Sequence, residues 1–150
     1  MRLVVQRVLK TTLKINGLTY SEIGKGLLIL IGVEENDVQE DVDWLVSKAC
    51  SLRIFTDPEG KLNLDVNQIN GEIMVVSQFT LFASTKKGNR PSFIRSAKPE
   101  IAIPLYESFI LKLSSLINKP IKTGQFGANM QIELVNDGPV TLIIDSKNKE

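Results

Sequence analysis

The feature that most constrains the fold is an Asn16-Gly17 pair, set between two strand-like runs and followed by an almost unbroken apolar segment. Thr11 to Ile15 and Leu18 to Glu22 flank the pair. Asn-Gly suits a type I′ turn, whose two central residues both need positive φ, so a hairpin is expected here. Gly26 to Val33 is nearly all apolar, the pattern of a strand buried on both faces. A chain that opens this way has to place further layers over both sides of a sheet.

The remaining segments supply those layers. Arg2 to Val8 reads as an opening strand. Asn36 or Asp37 is expected to cap a helix whose Val38, Val42, Leu45, Val46 and Ala49 share one stripe. Trp44 and Cys50 lie beside that stripe, which makes Cys50 a packing residue rather than a reactive thiol. Arg53 to Thr56 suits a short strand, ended by the turn Asp57-Pro58-Glu59-Gly60. Glu72 to Ala83 reads as a central strand. Ser84 to Lys98, with Gly88, Pro91 and the following Pro99, reads as a loop.

A second helix is expected over Glu100 to Ile117, with Leu105, Phe109, Leu113 and Leu116 as its apolar stripe. Pro104 is then expected near its first turn, where a missing N–H matters little. Met130 to Val135 and Val140 to Asp145 read as strands joined by an Asn136-Asp137-Gly138-Pro139 turn. The sum is an α+β protein: a mostly antiparallel sheet, curled into a barrel-like body, with two helices. At 150 residues it is expected to be one domain spanning 1–150.

The composition excludes much chemistry. With no histidine, neither a Ser-His-Asp nor a Cys-His nucleophile system can be built. A single cysteine beside that absence makes a zinc site unexpected, and no metal or cofactor is expected. Nor can an intramolecular disulfide form, which suits a reducing compartment. The longest apolar run, Leu27 to Val33, falls far short of the ~20 residues of a membrane helix, and Met1 to Val8 lacks a signal-peptide core. No membrane association and a cytoplasmic location are expected.

Charge is uneven although the net value is only +1. Thr80 to Pro99 carries Lys86, Lys87, Arg90, Arg95 and Lys98 and no acid; Met1 to Ser21 carries Arg2, Arg7, Lys10 and Lys14, again with no acid. Glu34 to Asp43 holds six carboxylates and no base. Such stretches are usually solvated surface, yet basic ones also hold phosphates.

Two segments stand out as sites. Ser77-Gln78-Phe79-Thr80-Leu81 places hydroxyls and an amide at the end of an apolar run, where a strand opens into the basic loop. That suits a pocket edge; outward positions of a half-exposed strand explain it equally well. Asn136-Asp137-Gly138-Pro139 reads first as a hairpin turn, with a rigid Gly-Pro whose carbonyls can face a small pocket. Tyr106 falls beside the second helix's stripe and reads as packing.

At these residues the chain resembles the D-aminoacyl-tRNA deacylase family, the D-tyrosyl-tRNA(Tyr) deacylases. Ser77-Gln78-Phe79-Thr80-Leu81 and Asn136-Asp137-Gly138-Pro139-Val140-Thr141 are similar to its two signature motifs. Met1 to Val8, Gly88-Asn89-Arg90-Pro91-Ser92-Phe93 and Gly124 to Met130 are similar too. The departure seen is small, Leu62 where many relatives have Met.

The resemblance implies a homodimer with active sites at the subunit interface and a D-aminoacyl-tRNA or glycyl-tRNA substrate. Ser77, Gln78, Phe79 and Thr80 would line the aminoacyl pocket, with Phe126 and Met130 near the terminal adenosine. Gly138 and Pro139, joined by a cis bond, would enter the partner's pocket and exclude an L side chain. Thr80 would be a candidate nucleophile, with Gln78 beside it, but no histidine is present to activate it; a substrate 2′-hydroxyl is the other candidate. The Phe79 N–H would then face the developing oxyanion. Lys86, Lys87, Arg90 and Arg95 would contact the tRNA backbone. The competing reading is a non-enzymatic homodimeric nucleic-acid-binding protein on the same scaffold, which keeps the basic loop but has no use for Gln78, Thr80 or Gly138-Pro139.

Overall fold

A computed structural model describes residues 1–149. In chain order the elements are β1 (Arg2–Ile15), β2 (Leu18–Ile23), β3 (Gly26–Gly32), α1 (Gln39–Ser51), β4 (Phe55–Thr56), β5 (Leu62–Leu64), β6 (Glu72–Ser77), a 3₁₀ turn (Phe79–Phe82), α2 (Pro99–Ser114), β7 (Lys122–Thr123) and β8 (Met130–Asp145). The expected hairpin is present. Asn16 and Gly17 take φ of 51° and 78°, and β1 and β2 pair across them. β1 extends beyond that hairpin, since the expected opening strand and the hairpin arm are one continuous strand.

This long strand organises the sheet. Arg2 to Val8 pairs with β3, Thr11 to Ile15 pairs with β2, and β8 runs antiparallel along both halves. β3 then pairs in parallel with β6, and β6 in parallel with β7, so the sheet is mostly antiparallel, as expected, with a parallel portion at one side. Parallel neighbours need crossovers, and α1 and α2 lie within the two that are required. Ser21 Oγ donates to the Thr123 carbonyl at 2.9 Å, drawing β2 toward β7 and curling the sheet into a nearly closed, barrel-like body.

Both faces of β3 are covered, which explains its unbroken apolar run. Leu27, Ile29 and Ile31 join α1, α2 and β1 in one core, with Leu45, Phe109 and Leu113 fully buried there. Leu28 faces a second cluster with Val8, Leu13, Met74 and Val76, bounded by Met130, Ile132 and Leu134 of β8. Burying a Leu or Ile side chain contributes roughly 1.5–3 kcal/mol, so each cluster is a substantial share of the folding drive.

Five expectations need correcting. Asp37 does not cap α1, because its buried carboxylate binds the Met1 amino group and the Glu34 N–H (2.6 Å). The helix starts one residue later at Gln39, with Asp41 Oδ2 accepting from the Val38 N–H at 2.9 Å. α2 begins at Pro99, so Pro104 lies in its second turn; it is exposed there, and the bond it deletes is the one to the Glu100 carbonyl, also on the exposed side.

The buried stripe of α2 is Ala102, Tyr106, Phe109 and Leu113, whereas Leu116 lies past the helix end and is 52% exposed. The strand expected over Glu72 to Ala83 stops at Ser77, where the chain tightens into the 3₁₀ turn.

The fifth correction concerns Asn136 to Pro139, which does not reverse the chain. β8 pairs with β1 on both sides of it: Thr141 opposes Gln6, and Asn136 opposes Val8. Five steps on β8 (136 to 141) therefore face two on β1 (6 to 8), and the three extra residues stand out as a wide bulge. Arg7, only 7% exposed, holds the bulge from behind. Its Nε donates to the Asp137 carbonyl at 3.1 Å and pairs with the Asp137 carboxylate at 2.9 Å, while Nη1 donates to the Ile54 carbonyl at 2.6 Å. Asn136 Nδ2 donates to the Arg7 carbonyl (2.9 Å) and the Val140 carbonyl (3.2 Å).

Candidate active site

β3 and β6 end side by side, with Ile31 opposite Ser77, and the chain leaves the sheet at Gln78. Gln78 keeps one strand bond, its N–H donating to the Ile31 carbonyl at 2.7 Å, before the 3₁₀ turn begins. Gly32 is what allows that turn to fold so close. A Cβ there would stand 3.0 Å from Leu81 Cβ and 3.1 Å from the Gln78 carbonyl oxygen.

A cavity of about 470 Å³ opens at this edge. Ser77, Gln78 and Phe79 form one side, the α2 residues Pro99, Ala102 and Tyr106 a second, and the segment from Phe126 to Met130 a third. Crevices beyond the carboxyl ends of parallel strands commonly serve as binding sites in open sheets, and here the second crossover supplies the helix wall.

Five of the sequence-derived site residues, Ser77, Gln78, Phe79, Phe126 and Met130, thus meet around one space. Thr80 does not line it. The Thr80 hydroxyl accepts a hydrogen bond from Gln78 Nε2 at 2.5 Å, within the turn. Phe79 opens the turn, so its backbone N–H has no partner inside it. Gly138 and Pro139 are exposed on the β8 bulge, joined by a cis bond, and are not part of this chain's cavity wall.

The electrostatics of the cavity are unusual for a catalytic site. Among the described residues that line it, no side chain is acidic or basic. The single titratable group there is Tyr106, whose phenol burial pushes up to about 12. It donates to the Val75 carbonyl at 3.2 Å, and its ring lies 5.8 Å from that of Phe126. Tyr106 and Ala102 are among the wall residues that sequence reasoning missed; their spacing of four on the buried side of α2 was the available signal. Cys50 is half-buried on α1 with its thiol raised to about 11, first by burial, in keeping with packing.

The basic loop meets the cavity at its base. The Ser84 and Ser92 backbones exchange two hydrogen bonds (2.8 and 2.9 Å), which close the loop and leave Lys86, Lys87 and Arg90 exposed at its tip. Arg95 is held differently: it pairs with Glu34 at 2.5 Å and lies over the Phe82 ring.

Comparison with known proteins places this architecture. Residues 4–145 match the family model described as D-Tyr-tRNA(Tyr) deacylase. Curated relatives named D-aminoacyl-tRNA deacylase include those of Bacteroides thetaiotaomicron, 59% identical, and Azobacteroides pseudotrichonymphae, 60% identical; each alignment covers all of both chains. A solved structure of a c-Myc DNA Unwinding Element Binding Protein superposes with a TM-score of 0.91 at 39% identity, covering 97% of this chain and 98% of the other. A probable eukaryotic D-amino acid tRNA deacylase shares the fold alone, with a TM-score of 0.80 at 18% identity over 95% and 97% of the two chains. With a full-length match to one family and an uncharged cavity at the position of its first motif, the chain belongs to the D-Tyr-tRNA(Tyr) deacylase family of ester hydrolases.

Proposed function

We propose that the protein hydrolyses the ester of D-aminoacyl-tRNA, with glycyl-tRNA as a further substrate and L-aminoacyl-tRNA excluded. One observation carries the mechanism: the cavity holds no acid or base near neutrality. The Gln78 amide donates to the Thr80 hydroxyl and so cannot take its proton, and an unassisted hydroxyl is a poor nucleophile. The substrate's ribose 2′-hydroxyl therefore orients or activates the attacking water. The protein contributes position, exclusion of bulk water and the Phe79 N–H toward the developing oxyanion, a kind of contact worth roughly 3–4 kcal/mol in other acyl-transfer sites. Ser77 and Gln78 hold the aminoacyl group, and Phe126 and Met130 the terminal adenosine. No metal or cofactor enters this scheme, and a tRNA substrate places the reaction in the cytoplasm.

The chiral filter belongs to a homodimer on this reading. Gly138 and Pro139, exposed and no part of their own cavity's wall, reach the partner's, where their carbonyls clash with an L side chain. Support comes from the β1–β8 ladder, which leaves Ile143 72%, Leu9 51% and Val135 47% exposed, an apolar set that a second copy would cover. The tip lysines and Arg90 contact the tRNA backbone, and such contacts carry no sequence information, as suits many tRNAs.

A second reading has one observation of its own. The 39%-identical structure carries a DNA-binding name, which fits a homodimeric nucleic-acid-binding protein without hydrolysis. Release of D-tyrosine from D-tyrosyl-tRNA by the purified protein, without added metal, separates the two. A protein that binds tRNA but releases nothing would overturn the enzymatic reading. Within that reading, Thr80→Ala should keep substantial activity, while a terminal 2′-deoxyadenosine substrate should be cleaved far more slowly. Near-total loss in the Thr80 variant with tRNA binding intact would restore threonine as the nucleophile.

A further inference from the structure

Beyond the cavity mouth the chain presents aromatic surface that the hydrolytic scheme leaves unused. Phe93 follows the Ser84/Ser92 closure, so it lies at the base of the basic loop. Its ring meets that of Phe79 edge-on, with centroids 5.1 Å apart and planes at 69°. Neither ring is covered by this contact: Phe79 stays 57% exposed and Phe93 37%. Ile94, next in the chain after Phe93, is 87% exposed.

The arrangement is anchored rather than loose. Ser96 Oγ donates to the Phe79 carbonyl at 2.8 Å, and the Ala97 N–H donates to the Val33 carbonyl at 2.9 Å. Phe79 on the cavity wall thus leads through its ring contact to Phe93, and the Ser84–Ser92 closure next to Phe93 leads to the tip with Lys86, Lys87 and Arg90.

We propose that Phe93, with Ile94 beside it, is a stacking shelf for the unpaired nucleotides that precede the terminal adenosine of the substrate. The inference rests on the tRNA-ester reading above. Its occupant follows from the chemistry of the track. A single strand leaving the cavity carries bases that need a flat apolar partner and phosphates that need cations. Exposed aromatics flanked by lysine and arginine supply both, without demanding a particular sequence. The edge contact with Phe79 holds the Phe93 ring at a fixed angle, so stacking on it orders a strand without first ordering the shelf.

The test compares three D-tyrosyl esters: of adenosine, of a trinucleotide with the tRNA terminal sequence, and of intact tRNA. Phe93→Ala and Phe93→Leu should each lower kcat/KM for the trinucleotide and tRNA esters about tenfold, the scale of one lost base–aromatic stack. The loss should be confined to substrates that carry the preceding nucleotides, and Phe93→Tyr should restore it. An equal loss on the adenosine ester would overturn the shelf and make Phe93 a prop for Phe79. No loss on any ester would overturn it too.

If the unmodified protein hydrolyses none of the three, the tRNA-ester reading fails separately. Polarisation of a labelled, uncharged trinucleotide then decides the shelf: weaker binding by Phe93→Leu supports it, and equal binding overturns it.

Discussion

Two stretches of this chain carry bases and no acids, and the fold uses them in opposite ways. In the first, Arg2, Arg7 and Lys14 of β1 each meet a carboxylate of β8, namely Asp145, Asp137 and Glu133. In the second, Lys86, Lys87 and Arg90 are exposed at the loop tip, and among the described residues only Arg95 pairs, with Glu34. A run of bases in sequence is thus two different objects. On a strand paired with an acid-bearing neighbour it is structural glue; on a closed loop beside a cavity it is a surface still able to bind an anion.

The sharpest way to break the comparison is Arg7→Met. Arg7 is buried, and its loss leaves the Asp137 carboxylate and the Ile54 carbonyl without their donor. Stability should fall by roughly 2 kcal/mol in urea unfolding, chiefly because the buried Ile54 carbonyl loses its donor, whereas the Asp137 carboxylate is partly solvated. A loss under ~1 kcal/mol would mean that the β8 bulge does not depend on it.

Acid should dissolve the paired charges next. The Asp41 carboxyl is held at about 2 against an ordinary 3.8: burial acts to raise it, but the Lys147 ammonium, the Val38 N–H and Ser146 more than offset that. Asp145 is lowered as well; burial opposes the shift, and the Arg2 guanidinium and two backbone N–H groups outweigh it. A carboxyl that is more acidic folded than unfolded stabilises the fold above its unfolded value and loses that contribution as protons bind. Stability should therefore be level above about pH 4 and decline toward pH 2. Lys147→Met should flatten the decline; an unchanged profile would remove Asp41 from the account.

The smallest effect on stability belongs to the loop. Replacing Lys86, Lys87 and Arg90 together by Gln should leave unfolding within ~0.5 kcal/mol, as for surface changes elsewhere. The same variant should reduce the salt slope of tRNA binding by about one per cation removed. An intact slope would make the loop ordinary solvated surface.

Much of the fold was legible because its signals are local. Asn16-Gly17 dictates its own φ values, and Gly26 to Val33 needs only burial on both sides. The errors arose where distant residues decide. Asp37 reads as a cap until the Met1 amine takes its carboxylate. Asn136 to Pro139 reads as a reversal until β1 is seen to pair on both sides of it. The one sequence hint was Arg7, a charge in the same alternating phase as Leu3 and Val5, which are buried.

The site divides the same way. Ser77, Gln78 and Phe79 follow from a strand end opening into a loop. Tyr106 and Ala102 were hidden because a cavity wall and a helix core leave the same spacing in sequence.

The most direct test is single-turnover hydrolysis of D-tyrosyl-tRNA beside L-tyrosyl-tRNA, without metal, across neutral pH. The account predicts release from the D ester alone, with no bell-shaped profile around neutrality, because the cavity wall offers no acid or base to titrate there. Equal release from both esters, or a bell with two limbs near neutral pH, would contradict it.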